Sequence, residues 1–318
     1  MISRRNIRVK VMQTLYTISN LDNDSEALRG KLQPQKILDN HFKQTSSLLS
    51  YLTWFLSEVA RYAETDAHQR ASKHLPTAED MQVNTKISGN ELLWKMLEDE
   101  SLQKQMAADK PAMLYQQSDE KDNDLIRKIY VQLSNSAEYK NYIATGSREK
   151  ASEKAILDYI LNDLLLANES FTSHIEDLFS NWEDDGEMIV QLLVGFMQKP
   201  GSLDFQHLLG ADKEQFARKL LQTVLEKSEH LQTLIIPKLK NWDPERIAHL
   251  DMILMKMGVA EFLYFETIPP KVTINEYIDL AKDYSTAQSG QFVNGILDNI
   301  HKELVQDGKM QKSEYKKQ

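Results

Sequence analysis

The sequence predicts an all-α protein, and three observations carry that expectation. Glycine and proline, which break regular structure, number only 11 and 8 among 318 residues, about half of ordinary usage. Apolar residues recur at spacings of three and four along most of the chain, the period of helices that bury one face. No stretch shows the alternation of a half-buried strand strongly enough to compete.

In chain order, residues 3–19 read as an amphipathic helix. Val11, Leu15 and Ile18 share a face with Met12 beside them, and Arg4 and Arg8, one turn apart, project together from its N-terminal end. Residues 20–32 are polar and turn-like (Asn20, Asp22, Asn23, Asp24, Gly30). A long helix is expected from Ile37 to about Ala71 through Leu48, Leu52, Phe55 and Val59, stopped by Leu75-Pro76. Beyond Gly89-Asn90, Leu92 to Met106 reads as helical. Asp119 to Asp124 reads as a solvated link, Leu125 to Leu133 as a short helix, and Gly146 as a break. Lys150 to Phe179 is strongly periodic, Met188 to Met197 follows, and Pro200-Gly201 closes the section.

From Lys213 the stripe Phe216, Leu220, Val224 and Leu231 predicts a helix that reaches Pro237 or runs on with a kink there. Trp242-Asp243-Pro244 has the chemistry of a helix start, with Asp243 as N-cap and Pro244 at the first helical position. Ile247, Leu250, Leu254 and Met257 then stripe a helix that ends before Pro269-Pro270. For the next helix, Thr273 and Glu276 form a capping box, and Val272 and Tyr277 stand where a hydrophobic staple would be. It runs to about Tyr284. Phe292, Ile296, Ile300 and Leu304 stripe the last helix.

Composition excludes several chemistries. With no cysteine there is no disulfide scaffold, thiolate zinc site, iron–sulfur cluster or cysteine nucleophile. The richest apolar run, Leu48 to Ala60, is interrupted by Ser50, Thr53, Ser57 and Glu58 and falls short of the roughly 18 residues a membrane span needs. Arg4-Arg5 superficially resembles a twin-arginine export signal, but Asn6 to Lys10 is charged where an apolar segment should follow; a cytoplasmic location is expected. Gly290 to Gly295 has the glycine spacing of a phosphate loop but lacks the Lys-Ser/Thr that must follow and the strand that must precede it. Asp22 to Glu26 faintly suggests a calcium loop, yet Ala27 stands where glycine is required. The eight histidines show no pair at helical ligand spacing. No enzyme, cofactor or metal is expected.

Charge is unevenly placed. Residues 1–18 hold Arg4, Arg5, Arg8 and Lys10 with no acid, whereas residues 19–205 carry 31 acidic against 19 basic side chains. A protein that is acidic in bulk can still bind nucleic acid through a local basic patch that releases counterions.

Two separated segments resemble the NusB family of transcription antitermination factors. Arg4-Arg5-Asn6-Ile7-Arg8-Val9-Lys10-Val11-Met12-Gln13-Thr14-Leu15-Tyr16 is similar to the family's arginine-rich opening helix. Val272 to Lys282, with Ile274-Asn275-Glu276, and Ser289 to Asp298, with Phe292-Val293-Asn294-Gly295, are similar to its C-terminal signatures. The helix from Trp242 to Phe262 matches the preceding family helix. The expected architecture is a NusB-like helical bundle split by a long helical insertion. Residues 1–18 plus 210–306 would form the RNA- and protein-binding domain, 19–209 an acidic insertion and 307–318 a basic disordered tail.

The resemblance implies a factor that binds boxA-type single-stranded leader RNA of ribosomal RNA operons together with the ribosomal protein NusE. The pair would engage the RNA polymerase elongation complex and promote read-through and rRNA synthesis. No membrane and no DNA partner is expected. Arg4, Arg5 and Arg8 offer multidentate donors for phosphates or base edges, Lys10 a point charge, and Tyr16 and Phe292 are either faces on which a base can stack or, at helical spacing, core residues. Ser289 and Gln291 add hydrogen bonds, and Asp251 can pair with a basic protein partner. Asn275 and Asn294 are expected to bond backbone between helices, and Gly295 to permit close helix packing. The family usually carries a basic residue where this chain has Gln291 and an acid at Gln288, which weakens phosphate attraction. The alternative reading is therefore a helical interaction scaffold with a weakened RNA site. Some RNA cytosine methyltransferases carry a NusB-like domain, but they need a cysteine nucleophile and a cofactor-binding glycine motif that are absent here.

Overall fold

The computed structural model describes residues 2–24, 33–118, 124–239, 247–310 and 312, and every regular element among them is helical. The chain divides into two compact units, one of residues 2–41 and 209–318, the other of residues 42–208.

Helix α1 (Arg4–Asp24) runs past the expected end at residue 19, because Asn and Asp are weak helix formers rather than breakers. Its stripe of Val11, Met12, Leu15 and Ile18 is buried. Gly30, read as part of the turn, lies outside the described residues. Helix α2 (Pro34–Ala71) starts with proline at its first position, where the missing N–H costs nothing.

In the unit of residues 42–208, Leu48, Leu52, Phe55 and Val59 of α2 are fully buried, as their spacing predicts. Around them lies an aromatic cluster in which Phe55 meets Phe171 edge-on at 4.8 Å and Tyr51 Oη lies 2.6 Å from His174 Nε2. The single helix expected from Leu92 to Met106 is two, α3 (Glu91–Leu97) and α4 (Glu100–Asp109). Asp99 causes the break, since its carboxylate accepts the Ser101 and Leu102 amides at 2.9 and 3.0 Å and starts a new helix. Lys110, at φ 51°, turns the chain into α5 (Pro111–Gln117). The Asp119-to-Asp124 link lies outside the described residues except for Asp124. Helices α6 (Leu125–Asn135) and α7 (Ala137–Ala144) follow, the second capped by Ser136.

The periodic stretch from Lys150 to Phe179 forms three pieces. Helix α8 (Lys150–Tyr159) passes into a π-helical run, Ile160–Leu166, and Asn168 then caps α9 (Glu169–Leu178). Helix α10 (Trp182–Gln198) completes the unit, and Gly201 at φ 81° makes the turn after it.

Among the described residues, the other unit is built on α1, the start of α2 up to His41 and five further helices. The stripe expected to reach Pro237 is divided at Lys227 into α11 (Ala211–Glu226) and α12 (Ser228–Ile235), with a tight turn at Ile236–Lys238. The start read at Asp243-Pro244 lies outside the described residues. Helix α13 (His249–Tyr264) is buried almost all round from Ile253 to Phe262, as a helix apolar on every side must be. It packs against α1, α11, α12, α14 (Pro270–Tyr284) and α15 (Ser289–Gln306). A Cβ at Gly258 would lie 2.9 and 3.0 Å from the Leu297 methyls, so glycine lets α15 approach α13. Gly295, expected in that role, is open to space. At the end of α13, Lys312 Nζ donates to the carbonyl oxygens of Glu261 and Phe265, both at 2.7 Å, satisfying acceptors that the helix cannot.

The capping box is a correction. Helix α14 begins at Pro270, so Thr273 sits inside it and Glu276 makes no cap. Val272 is exposed while Tyr277 is fully buried, so no staple joins them. Proline at the first helical position sets the start a turn earlier than threonine would.

Candidate functional site

The N-terminal basic residues go to different places. Arg8 is 1 % exposed. Its Nε and Nη2 donate to the two Glu261 carboxylate oxygens at 2.8 and 3.1 Å, and its Nη1 donates to Glu276 at 3.1 Å. Glu261, itself fully buried, also accepts from the Thr273 hydroxyl at 2.9 Å and the Tyr277 hydroxyl at 2.8 Å. Four donors satisfy one carboxylate in the last turn of α13, the condition under which a buried charge is tolerated. Burial pulls the Arg8 guanidinium toward neutrality, but the hydrogen bonds and charge of Glu261 outweigh it and fix the cation. Burial and Glu261 together push the Tyr277 hydroxyl well above its ordinary range.

Arg8 is thus committed to the core, a correction to its expected place in an RNA-facing patch. Lys10 is likewise 1 % exposed. Arg4 and Arg8 do share a face, since their guanidinium carbons lie 5.7 and 5.5 Å from the Phe216 ring centroid. Arg4 remains exposed, and half-exposed Arg5 reaches Asp283 on α14 at 2.5 Å.

Asp251 and Ser289 are brought together, but inside. Asp251 is 4 % exposed and accepts from Ser289 Oγ at 2.8 Å, tying the start of α15 to α13. This is a second correction, because a buried and hydrogen-bonded carboxylate is not presented to a protein partner. Ser289 Oγ also accepts the Thr286 amide at 3.2 Å, so the hydroxyl builds the turn before α15.

What faces outward is a smaller set. Tyr16 is 43 % exposed, and its ring lies 5.9 Å from that of His249 at the start of α13. Gln291 is exposed and Phe292 half-buried at the opening of α15. Asn275 and Asn294 are exposed rather than bonded between helices, and Gly295 shares that surface. The signature of α15 thus divides into an inward part, Ser289 and Val293, and an outward part, Gln291, Asn294 and Gly295.

Sequence reasoning missed Glu261 and Asp283, and it placed Phe216 in an apolar stripe without the two arginines that lie over its ring. Glu261 had a signal, since one acid inside the apolar run from Ile253 to Phe262 requires a buried cation, and Arg8 was available. Among the described residues no group of three or more His, Cys, Asp or Glu could hold a metal ion. No described helix is long and apolar enough to cross a membrane.

The family model of the NusB family matches residues 183–302. A transcription antitermination protein NusB of an Exiguobacterium species is 35% identical over 117 residues, covering 37% of this chain and 91% of that protein. The chain belongs to the NusB family. A second NusB, of Salinibacter ruber, is 34% identical over 139 residues, 44% of this chain and 82% of its own length. One of Chloroherpeton thalassium is 41% identical over 100 residues, 31% of this chain; the chain spans about half of that relative, 47%. No solved structure matches. The NusB match begins at Glu183, on α10 in the unit of residues 42–208, and continues to the last helix.

Proposed function

We propose that this chain is a non-enzymatic, cytoplasmic transcription antitermination factor. It binds boxA-type single-stranded leader RNA of ribosomal RNA operons together with the ribosomal protein NusE, and so joins the RNA polymerase elongation complex. The RNA- and protein-binding domain is residues 1–18 plus 210–306, and 19–209 is an acidic insertion. Membership of the NusB family, whose relatives carry the antitermination name, supports this reading. The observation that carries it is the outward set on one unit: Arg4 and Arg5 opening α1, Tyr16 further along it, and Gln291 with Phe292 opening α15. Cationic forks for phosphate beside aromatic faces for bases are what single-stranded RNA needs.

One observation favours the scaffold reading. Two of the four basic residues of α1, Arg8 and Lys10, are buried, and Gln291 stands where a cation would add attraction. A labelled boxA-like RNA, titrated by anisotropy with and without the ribosomal protein at two salt concentrations, separates the two. The antitermination reading expects binding that the partner tightens, that weakens in Arg4→Ala, and that strengthens in Gln291→Lys. Removal of Arg4 should also lower the salt slope by about 0.7, the value for one phosphate on a single strand. No binding in any combination by the folded protein overturns the RNA reading in favour of the scaffold.

A further inference from the structure

The unit of residues 42–208 holds an open groove of about 940 Å³ between the end of the π-helical run, the C-terminal end of α9 and the first half of α10. Its floor is apolar: Leu166, Phe179, Trp182 and Val190. Phe179 is buried beneath the surface, and Trp182 lies against α10, where a Cβ at Gly186 would sit 3.1 Å from the indole. The rim is acidic. Glu176, Glu183 and Glu187 line it with no basic residue beside them, all three are exposed, and none is in an ion pair among the described residues.

Helix electrostatics account for only part of that rim. Glu183, in the first turn of α10, complements the positive end of the helix dipole. Glu176 stands near the C-terminal end of α9, where the dipole disfavours an anion. Glu187 lies beyond the first turn of α10. Two of the three carboxylates therefore gain nothing from the dipole of the helix that carries them, although Glu187 accepts from Gln191 Nε2 at 3.2 Å, and all three converge on one apolar floor.

We propose that this groove docks a cationic amphipathic segment of a basic protein, with a leucine-like anchor on the Phe179–Trp182–Val190 floor and flanking arginine or lysine on the glutamates. Charge complementarity selects this occupant. A nucleic acid or anionic membrane is repelled by the rim, and a second copy of a chain with net charge −9 would meet the same repulsion. The proposal is independent of the RNA reading, because every residue it uses lies outside α1 and α11–α15.

The test uses the full-length protein and a short, labelled, amidated peptide of leucine and arginine in helical repeat. Two controls keep either the charge (leucine replaced by serine) or the anchors (arginine replaced by glutamate). Anisotropy should show saturable binding of the leucine–arginine peptide only. Val190→Arg, which places a cation on the floor, and the double variant Glu183→Gln with Glu187→Gln should each weaken it roughly tenfold, the effect of about 1.4 kcal/mol. Circular dichroism checks folding, and the double variant carries the test if Val190→Arg unfolds, because both glutamates are exposed. No saturable binding, equal binding by the serine peptide, or equal affinity in the folded variants overturns the proposal. So does a sedimenting dimer that Val190→Arg dissolves, which would give the groove to a second copy.

Discussion

Arg8 shows how an arginine expected to face RNA can instead serve the core. Its guanidinium binds Glu261 in a fork and reaches Glu276, so α1, α13 and α14 meet at one buried charge cluster. Removing one member of a buried ion pair leaves the other uncompensated, so Arg8→Ala should cost about 3–5 kcal/mol in urea unfolding. Tyr277→Phe removes one of four donors to Glu261 and should cost about 1 kcal/mol. Tyr277 also predicts an alkaline limit. Its folded pKa is raised above the ordinary value of 10.0, so above that pH the unfolded chain releases a proton that the folded chain holds. Stability present below pH 10 is then lost as pH rises, and Tyr277→Phe should flatten the fall seen in urea midpoints measured across that range. The arginine-rich start was legible in the sequence, but which arginine faces inward was not. That depends on Glu261, more than two hundred residues away in the chain.

At the scale of the element, helix packing turns on two glycines with opposite roles. Gly258→Ala drives a methyl into Leu297, which is fully buried, and overpacking of a filled core costs about 1–3 kcal/mol. Gly295→Ala adds a methyl where nothing lies within 4 Å, and an exposed helix interior gains roughly 0.5–1 kcal/mol from alanine. Thermal melts of the two variants should therefore shift in opposite directions. Helix existence was legible because burial enforces the three-and-four spacing. Helix division was less so, because Asp99 and Asn168 cap new helices without interrupting the apolar stripe. The misread start at Thr273 shares that cause. Its hydroxyl was assigned to a local cap, whereas it donates to Glu261 on another helix.

For the whole molecule, the two units hold separate cores, so unfolding need not be two-state. Arg8→Ala should speed backbone hydrogen exchange in peptides from α1, α13 and α14 by roughly a hundredfold or more, following the 3–5 kcal/mol loss. Peptides from α6 to α9 should keep their protection, and equal acceleration throughout would show the units to be one cooperative block. The charge division was fully legible, since it needs only counting. The inward half of the α15 signature was not, because helical spacing alone cannot say which neighbour a serine will meet. Ser289 meets a carboxylate, and the exposed positions beside it are left to the solvent-facing surface.

The π-helical run at Ile160–Leu166 bears on how this protein tolerates changes in chain length. A π segment holds one residue more than the α-helical ladder would, so it acts as slack wound into the rod between α8 and α9. Substitutions that keep Ile160, Leu161, Leu164 and Leu165 apolar leave that slack in place. Deleting a single residue within it would take that slack up, restoring the tighter ladder and leaving Phe171 and His174 near their places against Phe55 and Tyr51. Inserting one would add about 100° that the run has no slack to absorb, swinging both side chains away. The segment accepts a lost residue more readily than a gained one.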